Sequence, residues 1–329
     1  MVATSLRNFW HPIGTAAEIT EQPKPFTLLG ERIVAFRDAG GPAAFKDLCI
    51  HRGAALSGGS IKDGRLTCPY HGWAYDRSGA CVHIPSLPPG APIPAKARAI
   101  AYAVREAYDL VWVALDEPAQ PFPAWPEDAW NRADRRVFMV NQYLWKTSAG
   151  RVVENAMDFS HFNFVHIGYT ELADGPVVKP YEVARTEGGL QYAYEDGRLR
   201  RDYTIDFPFI VHDRKSVVVV GNGGTWSEGA DTKAGDVTHL TFIASPVDAT
   251  TTKIYVFVGR NHSLDKPDSE FAAGFDIVMD QDRVVVETQR PEQIPIDIKE
   301  ELHLRFPDAP AILYRRMMRE LDSAEAFVP

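Results

Sequence analysis

Cysteine is scarce in this chain: Cys49, Cys68 and Cys81 are all that its 329 residues contain. An odd and small number excludes a disulfide framework, and the thiols are expected free in a reducing, cytoplasmic setting where they can serve metals. Long apolar runs are missing too. The densest, residues 217–220, stops at Gly221, far short of the ~20 apolar residues a membrane span needs. The opening MVATSLRNFWHPIG holds no apolar core of a secretory signal, so a soluble chain without a membrane partner is expected. Nor is there a block of like charge. The 35 basic and 44 acidic residues leave a net charge of −9, a field that repels phosphate backbones and argues against a nucleic-acid partner. There is no internal repeat and no low-complexity tract. What remains is 45% apolar and 24% charged, an ordinary globular composition long enough for about two domains.

The first third is rich in Gly, Pro and short β-type runs. Residues 27–36, 40–48, 65–70 and 107–115 read as strands, with turns at Asp38–Gly41 and Lys62–Gly64. Pro118, Pro121, Pro123 and Pro126 then crowd a stretch that can continue neither strand nor helix, which marks a linker. Beyond it, residues 151–166 and 269–289 have helical composition, and strand runs fill 202–259. The expected organisation is α+β, with a mostly β domain over 1–125 and a sheet-plus-helix domain over 126–329.

Within the first domain, Cys49-Ile50-His51-Arg52-Gly53 is followed by Cys68-Pro69-Tyr70-His71-Gly72. Each half offers one thiolate and one imidazole from a Gly-flanked turn. A usual zinc site instead pairs two cysteines on one knuckle and two histidines on another element. Two equivalent halves suit two metals bridged by sulfides, with both cysteines on one iron and both histidines on the other, as in a Rieske [2Fe–2S] cluster. Exchanging two thiolates for neutral imidazoles raises the potential and makes a mild one-electron relay. A structural zinc site and unrelated core residues are the competing readings. Cys81 and His83 lie just beyond, with the four ligands already present, and read as structural.

A second pattern runs from Arg151 to His166. At 100° per residue Asn155, Asp158, His161 and His166 share an arc with Phe159, Phe162 and Val165. Polar groups among apolar ones on a helix face are costly unless hydrogen-bonded or bound to metal. The five-residue spacing of the histidines predicts a bend or helix end near Asn163. A third ligand comes from 269–289, where Phe275, Val278, Met279, Val285 and Val286 form an apolar stripe with Asp282 at position +7 from Phe275; Asp276 and Asp280 point elsewhere. A carboxylate on such a stripe must be paired or coordinated. His161, His166 and Asp282 together make a two-His-one-carboxylate triad, the pattern of non-haem Fe(II) oxygenases, with Asp282 as the partner of a core Arg or His the competing reading.

Taken together, these residues resemble the Rieske non-haem iron oxygenases, specifically the terminal oxygenase α-subunit, over nearly the whole chain. Cys49, His51, Cys68 and His71 match the family's cluster ligands, and Asn155, Asp158, His161 and His166 match its N-x2-D-x2-H-x4-H run. Gln281-Asp282-Arg283 resembles the segment carrying the third iron ligand. Gly259-Arg260-Asn261-His262 resembles the branch of vanillate and dicamba demethylases; Gln289-Arg290-Pro291 and Tyr314-Arg315-Arg316 resemble saxitoxin-type hydroxylases. Ile50 departs from the family, where Pro is common. The resemblance implies an all-β Rieske domain, then a helix-grip catalytic domain with a mononuclear Fe(II) that uses O2. It also implies electrons from NAD(P)H through a ferredoxin and/or flavin reductase, and a head-to-tail homotrimer in which Asp158 bridges His71 of one chain and His161 of the next. The implied reaction is monooxygenation of a small aromatic or cyclic compound, by hydroxylation or oxidative O- or N-demethylation. Ring cis-dihydroxylation is the alternative, and a pure electron carrier is disfavoured by the 200 residues after the linker.

Other candidates carry less. The 221–224 glycine-rich segment lacks a phosphate-loop lysine and reads as a turn. His212, His239 and His303 read as structural, and His262 as a loop residue without a partner. Tyr70 and Trp73 are expected to shield the cluster, Trp125, Trp130 and Trp145 to be core or interface, and the substrate pocket to draw on 200–260 and 168–177.

Overall fold

A computed structural model describes residues 4–126, 133–218 and 233–325; Trp130 and the 221–224 segment lie outside them. The chain divides into two compact units, Met1–Phe122 and Pro123–Pro329. The first holds ten short strands in three antiparallel sheets: β1 (His11–Thr15), β2 (Lys24–Leu28), β3 (Glu31–Asp38), β4 (Gly41–Lys46), β5 (Ser60–Lys62), β6 (Arg65–Thr67), β7 (Ala74–Tyr75), β8 (Cys81–His83), β9 (Ala103–Ala107) and β10 (Leu110–Ala114). Two runs expected as single strands are hairpins. Leu29-Gly30 turns 27–36 back on itself, and Tyr108-Asp109 does the same for 107–115; all four residues have positive φ, which matches the twist of a two-residue hairpin. Alternate side chains of these sheets converge on a core of Val34, Phe36, Phe45, Leu66 and Tyr75, into which Cys49, Cys68 and Cys81 are packed.

The second unit is a seven-stranded antiparallel sheet carrying helices. Its elements are β11 (Arg136–Trp145), α1 (Ala149–Met157), α2 (Phe162–Val165), β12 (Val183–Arg185), β13 (Gly189–Glu195), β14 (Leu199–Asp206), β15 (Ile210–Val217), β16 (Val237–Asp248), β17 (Thr251–Arg260), α3 (Asp268–Val286) and α4 (Ala309–Glu325). Strand order is β11-β17-β16-β15-β14-β13-β12. Phe275 of α3 packs on Leu240 and Val258 of the sheet, and Met279, Asp282 and Val286 of the expected stripe are buried as well. Val285, also expected on the stripe, is instead 48% exposed, because ten residues beyond Phe275 lies about 280° around the helix.

The stretch 151–166 is not one helix bent near Asn163. It breaks five residues earlier, where Asp158 is extended at φ −90° and ψ 146°. Its carboxylate accepts from the backbone N–H of Ser160 at 3.0 Å and of His161 at 3.1 Å, a local turn that competes with the helix.

Charge ties α1 to the C-terminal region. Arg315 on α4, 1% exposed, grips Glu154 of α1 at 2.6 and 2.7 Å and Glu301 at 2.6 Å; Arg151 of α1, 2% exposed, holds Glu301 at 2.6 and 3.1 Å. Burial works to raise the Glu301 carboxyl, but the two guanidiniums outweigh it and bring it from 4.5 to about 2. A depressed folded-state value stabilises the protein above its ordinary value and is lost as pH falls through the depressed one. Relative to wild type, Glu301→Gln is therefore expected to lose stability by a constant amount from neutrality down to pH 4.5, with the gap closing toward pH 2. Denaturant melts across that range check it; a gap unchanged at pH 3 would show that the pairs contribute nothing.

Candidate metal centres and active site

In the first unit the two Cys-His segments form near-identical turns. Cys49 N–H donates to Ala54 O at 2.8 Å and Gly53 N–H to Cys49 O at 2.9 Å; Cys68 N–H donates to Trp73 O at 2.8 Å and Gly72 N–H to Cys68 O at 3.1 Å. Gly53 and Gly72 both adopt φ +71°, which only glycine takes without strain. The turns face each other. The rings of His51 and His71 lie 4.6 Å apart between centroids. The Cys68 thiol is pushed up by burial and further by adjoining Cys49, while the backbone of Tyr70 and His71 pulls it back by hydrogen bonding. His51 Nδ1 is buried and has no hydrogen-bond partner among the described residues, as a nitrogen reserved for a metal would be. The four groups thus fit the sulfide-bridged cluster their chemistry suggests.

Two aromatic rings flank this site. Trp73 stacks on His51 at 4.5 Å with 6° between planes, and Tyr70 lies 3.8 Å from His71. Tyr75, invisible to motif reading because it sits outside both turns, shares a hydrogen bond with Cys49 Sγ at 3.0 Å. Cys81 is buried in the same core, and its thiol contacts His83 O at 3.5 Å.

In the second unit the break at Asp158 turns the chain so that His161 and His166 reach toward α3. His161 Nε2 and His166 Nε2 are 3.2 Å apart, and Asp282 Oδ1 lies 3.4 Å from the first and 3.1 Å from the second. Such a triangle suits three donors to one ion ~2 Å from each, on one face of its coordination shell. Both imidazoles are fixed from behind. Asp158 Oδ2 lies 2.6 Å from His161 Nδ1, and Gln281 Oε1 lies 2.9 Å from His166 Nδ1. These bonds favour the Nδ1-protonated tautomer whenever the rings are neutral, with both Nε2 atoms facing the triangle. Asn155 Nδ2 donates to Asp282 Oδ1 at 3.1 Å. Burial lowers His161, yet Asp158 and Asp282 outweigh it and bring it to about 9; burial raises Asp282, yet the two histidines hold it at about 2. Gln281 escaped the periodicity argument because its role is set by a ring on another helix. Its only sequence signal is adjacency to Asp282.

The triangle opens on a partly open cavity of about 50 Å³, lined by Trp145, Phe162, Tyr169, Thr170, Arg201, Tyr203, Asp213, Lys215, Phe242 and Met279 among others. The 200–260 and 168–177 segments contribute as expected; the walls from β11, α1 and α3 were not foreseen. Carboxylates off the α3 stripe do other work. Asp276 accepts from Tyr143 at 2.7 Å, Asp280 pairs with Arg283 at 2.6 Å, and Glu287 accepts from Lys146 N–H at 2.8 Å. His262, expected to lack a partner, has one: its Nε2 lies 2.8 Å from Thr238 Oγ1. His212 contacts Thr241 Oγ1 at 2.9 Å, His303 contacts Glu301 O at 3.0 Å, and Trp125 and Trp145 are buried.

Residues 9–102 match the Rieske [2Fe–2S] domain, and residues 145–324 match the vanillate O-demethylase oxygenase C-terminal domain. The chain belongs to the Rieske non-haem iron oxygenases, as a terminal oxygenase α-subunit: an oxidoreductase with a Rieske [2Fe–2S] domain ahead of its catalytic domain. It is 32% identical over 97% of its length to methylxanthine N1-demethylase NdmA of Pseudomonas putida, covering 90% of that protein. With methylxanthine N3-demethylase NdmB of the same organism it shares 33% identity over 88% of the chain and 83% of that protein. The solved structure of NdmA superposes with a TM-score of 0.83 at 31% identity, covering 98% of this chain and 92% of the other. The main reading of the sequence, a monooxygenating enzyme of the demethylase branch, is thereby borne out. No described helix is long and apolar enough to cross a membrane.

Two substitutions test the supporting bonds. Gln281→Leu is expected to leave the cluster's visible absorption intact while weakening metal retention by ~10–100-fold, read by Co(II) or Fe(II) titration of metal-depleted protein. Unchanged affinity would make the bond to His166 idle. A donor to a cluster sulfur favours the reduced, more negative state, so Tyr75→Phe is expected to lower the cluster's midpoint potential in a spectroelectrochemical titration. A potential equal to wild type would mean that the hydroxyl points elsewhere.

Proposed function

We propose that this chain oxidatively removes a methyl group from the nitrogen or oxygen of a small cyclic compound, with His161, His166 and Asp282 holding a mononuclear Fe(II). Cys49, His51, Cys68 and His71 hold the cluster. The overall change, R–X–CH3 + O2 + 2e− + 2H+ → R–XH + CH2O + H2O, balances with both electrons supplied by a flavin-containing reductase, directly or through a ferredoxin. Bound there, the ferrous ion supplies oxygen activation and the cluster supplies single electrons. The observation that carries the reading is the Nε2–Nε2–Oδ1 triangle opening on a mostly apolar cavity.

The protein's own residues supply the rest. Asp158 and Gln281 fix both ring orientations, Asn155 fixes Asp282, and the apolar part of the cavity wall receives the methyl-bearing ring. N-demethylation is favoured by likeness to the two methylxanthine demethylases and O-demethylation by the matched C-terminal domain. A head-to-tail homotrimer fits the exposure of two groups: His71 is exposed on the first unit, and the Asp158 side chain is 30% exposed on the second. Such a contact would let the Asp158 carboxylate accept from His161 of its own chain and from the facing imidazole at once.

Anaerobically purified protein is expected to contain about three irons and two acid-labile sulfides per chain, matching one cluster and one separate site. Asp282→Ala should lose the third iron and all formaldehyde release while the cluster remains reducible. Asp158→Asn should retain all the iron but lose most turnover. Two irons per chain, unchanged after Fe(II) is added back, would overturn the mononuclear assignment and favour an electron carrier.

A further inference from the structure

A second cavity reaches the metal triangle. Asn155, His161 and Asp282 line it as they line the first, but at about 290 Å³ it is roomier than the 50 Å³ of the apolar one. Its charges do not balance. Arg151 and Arg315 line it and are spent on Glu154 and Glu301, which line it too. Two further carboxylates remain. Asp158 meets no charged group but the His161 ring, and Asp308 meets no cation among the described residues. Asp308 Oδ2 accepts from Leu304 N–H at 2.5 Å, while its other oxygen makes no hydrogen bond among them. Leu302, 92% exposed, and Val285 add apolar side chains to the same walls.

A surface of opposite character lies on the first unit. In the two Cys-His turns, residues 49–53 and 68–72, Arg52 is the single charged side chain when the imidazoles are neutral. It is exposed, and no hydrogen bond or ion pair holds it among the described residues. Ile50, where this turn departs from its family, and Tyr70 are exposed large apolar groups of the same turns, and His71 is exposed with them. Apolar groups gathered in the open around a functional site mark a surface that another molecule covers. Interfaces join such contacts to complementary charges at their rim. We propose that the Cys-His turns of one copy of this chain seat at the mouth of the larger cavity on a second copy, Arg52 pairing with Asp308 while Ile50 and Tyr70 pack against Leu302 and Val285. A second copy is the occupant because one chain carries both halves of the match: cation and apolar groups on one unit, carboxylate and apolar wall on the other. The inference rests on the head-to-tail assembly proposed above and names the contact that sets its register. Asp308 and Asp158 line one cavity as Arg52 and His71 flank one cluster site, so pairing the first two brings the second two together.

A charge swap on holoenzyme tests the pair, with mass followed by sedimentation velocity over a dilution series. Wild type is expected to associate and to dissociate at lower dilution as salt is raised. Arg52→Glu and Asp308→Arg each set like charges face to face and should weaken association ~10-fold or more. The double variant Arg52→Glu/Asp308→Arg should recover most of that loss, which a merely local defect in either turn would not allow. Visible absorption of the cluster is expected unchanged in all three. A second measurement serves an assembly too tight to dilute apart. Arg52→Lys keeps the charge and lets a carbodiimide join the new amine to the Asp308 carboxylate, and mixed light and 15N-labelled chains show by peptide mass whether the link runs between copies. Single reversals that assemble like wild type and no interchain link to Asp308 overturn the pair, as does a double variant no stronger than the singles. A wild type that stays a single chain at every concentration removes the second copy altogether and sinks the head-to-tail assembly; an assembly indifferent to both charges leaves it standing and sinks the Arg52–Asp308 contact alone.

Discussion

The second unit is organised around one costly placement: the carboxylate of Asp282, 7% exposed on the buried face of α3. A charge taken out of water there must be met by donors or by metal, or the fold loses several kcal/mol. Among the described residues, its side-chain partners all come from the 155–166 segment. Asn155 donates to it, and His161 and His166 close within 3.4 Å. Satisfying one carboxylate therefore dictates where α1 ends, how the chain turns and which face of α3 lies on the sheet. The open side of the same cluster faces the cavity, since a group met from only one side leaves room on the other.

Asp158 performs the turn that makes this possible. Its side chain replaces the backbone bonds a continuing helix would make, accepting from Ser160 and His161, and with its second oxygen it also orients the His161 ring. One residue thus sets both the path of the chain and the orientation of the His161 imidazole. Held straight, the helix would have carried His161 and His166 around to different directions. The Arg151–Glu301–Arg315–Glu154 cluster anchors the other end of α1, so the helix carrying Asn155 is fixed by charge at its start and by Asp158 at its finish.

Much of this was legible in the residues. Asp282 stood out because a charge at position +7 of an apolar stripe has no cheap explanation, whereas Asp276 and Asp280 lay off the stripe and are satisfied by Tyr143 and Arg283. The Cys-x-His and Cys-x-x-His turns were legible because glycine marks the left-handed position each requires. Other features were not. Helical periodicity extends an arc through Asp158 because it counts residues, while the break depends on a side chain competing for backbone N–H groups. Gln281 and Tyr75 act on atoms far away in sequence, and no spacing reports that. The hairpin turns at Leu29-Gly30 and Tyr108-Asp109 hid inside apolar runs because Leu and Tyr are not turn formers by composition.

The two sites differ in how much the backbone alone decides. The cluster turns are nearly complete as backbone: two Gly-closed loops repeat the same pair of main-chain bonds, and the ligands follow from where Cys and His fall in them. Such a site tolerates little variation and carries little information about substrate. The His161–His166–Asp282 triangle is assembled from the two residues flanking α2 and from α3, and the wall beside it draws on inward positions of β14, β15 and β16. Those inward positions set the shape and polarity of the cavity, and among them the buried charged rung of Arg201, Asp213 and Lys215 is the least neutral choice a sheet can make. Replacing such a buried pair by apolar residues of similar volume often costs a fold nothing. Arg201 joins that rung to Asp213 and Thr170 at once, so the polar edge of the cavity is held rigid by partners within the fold itself.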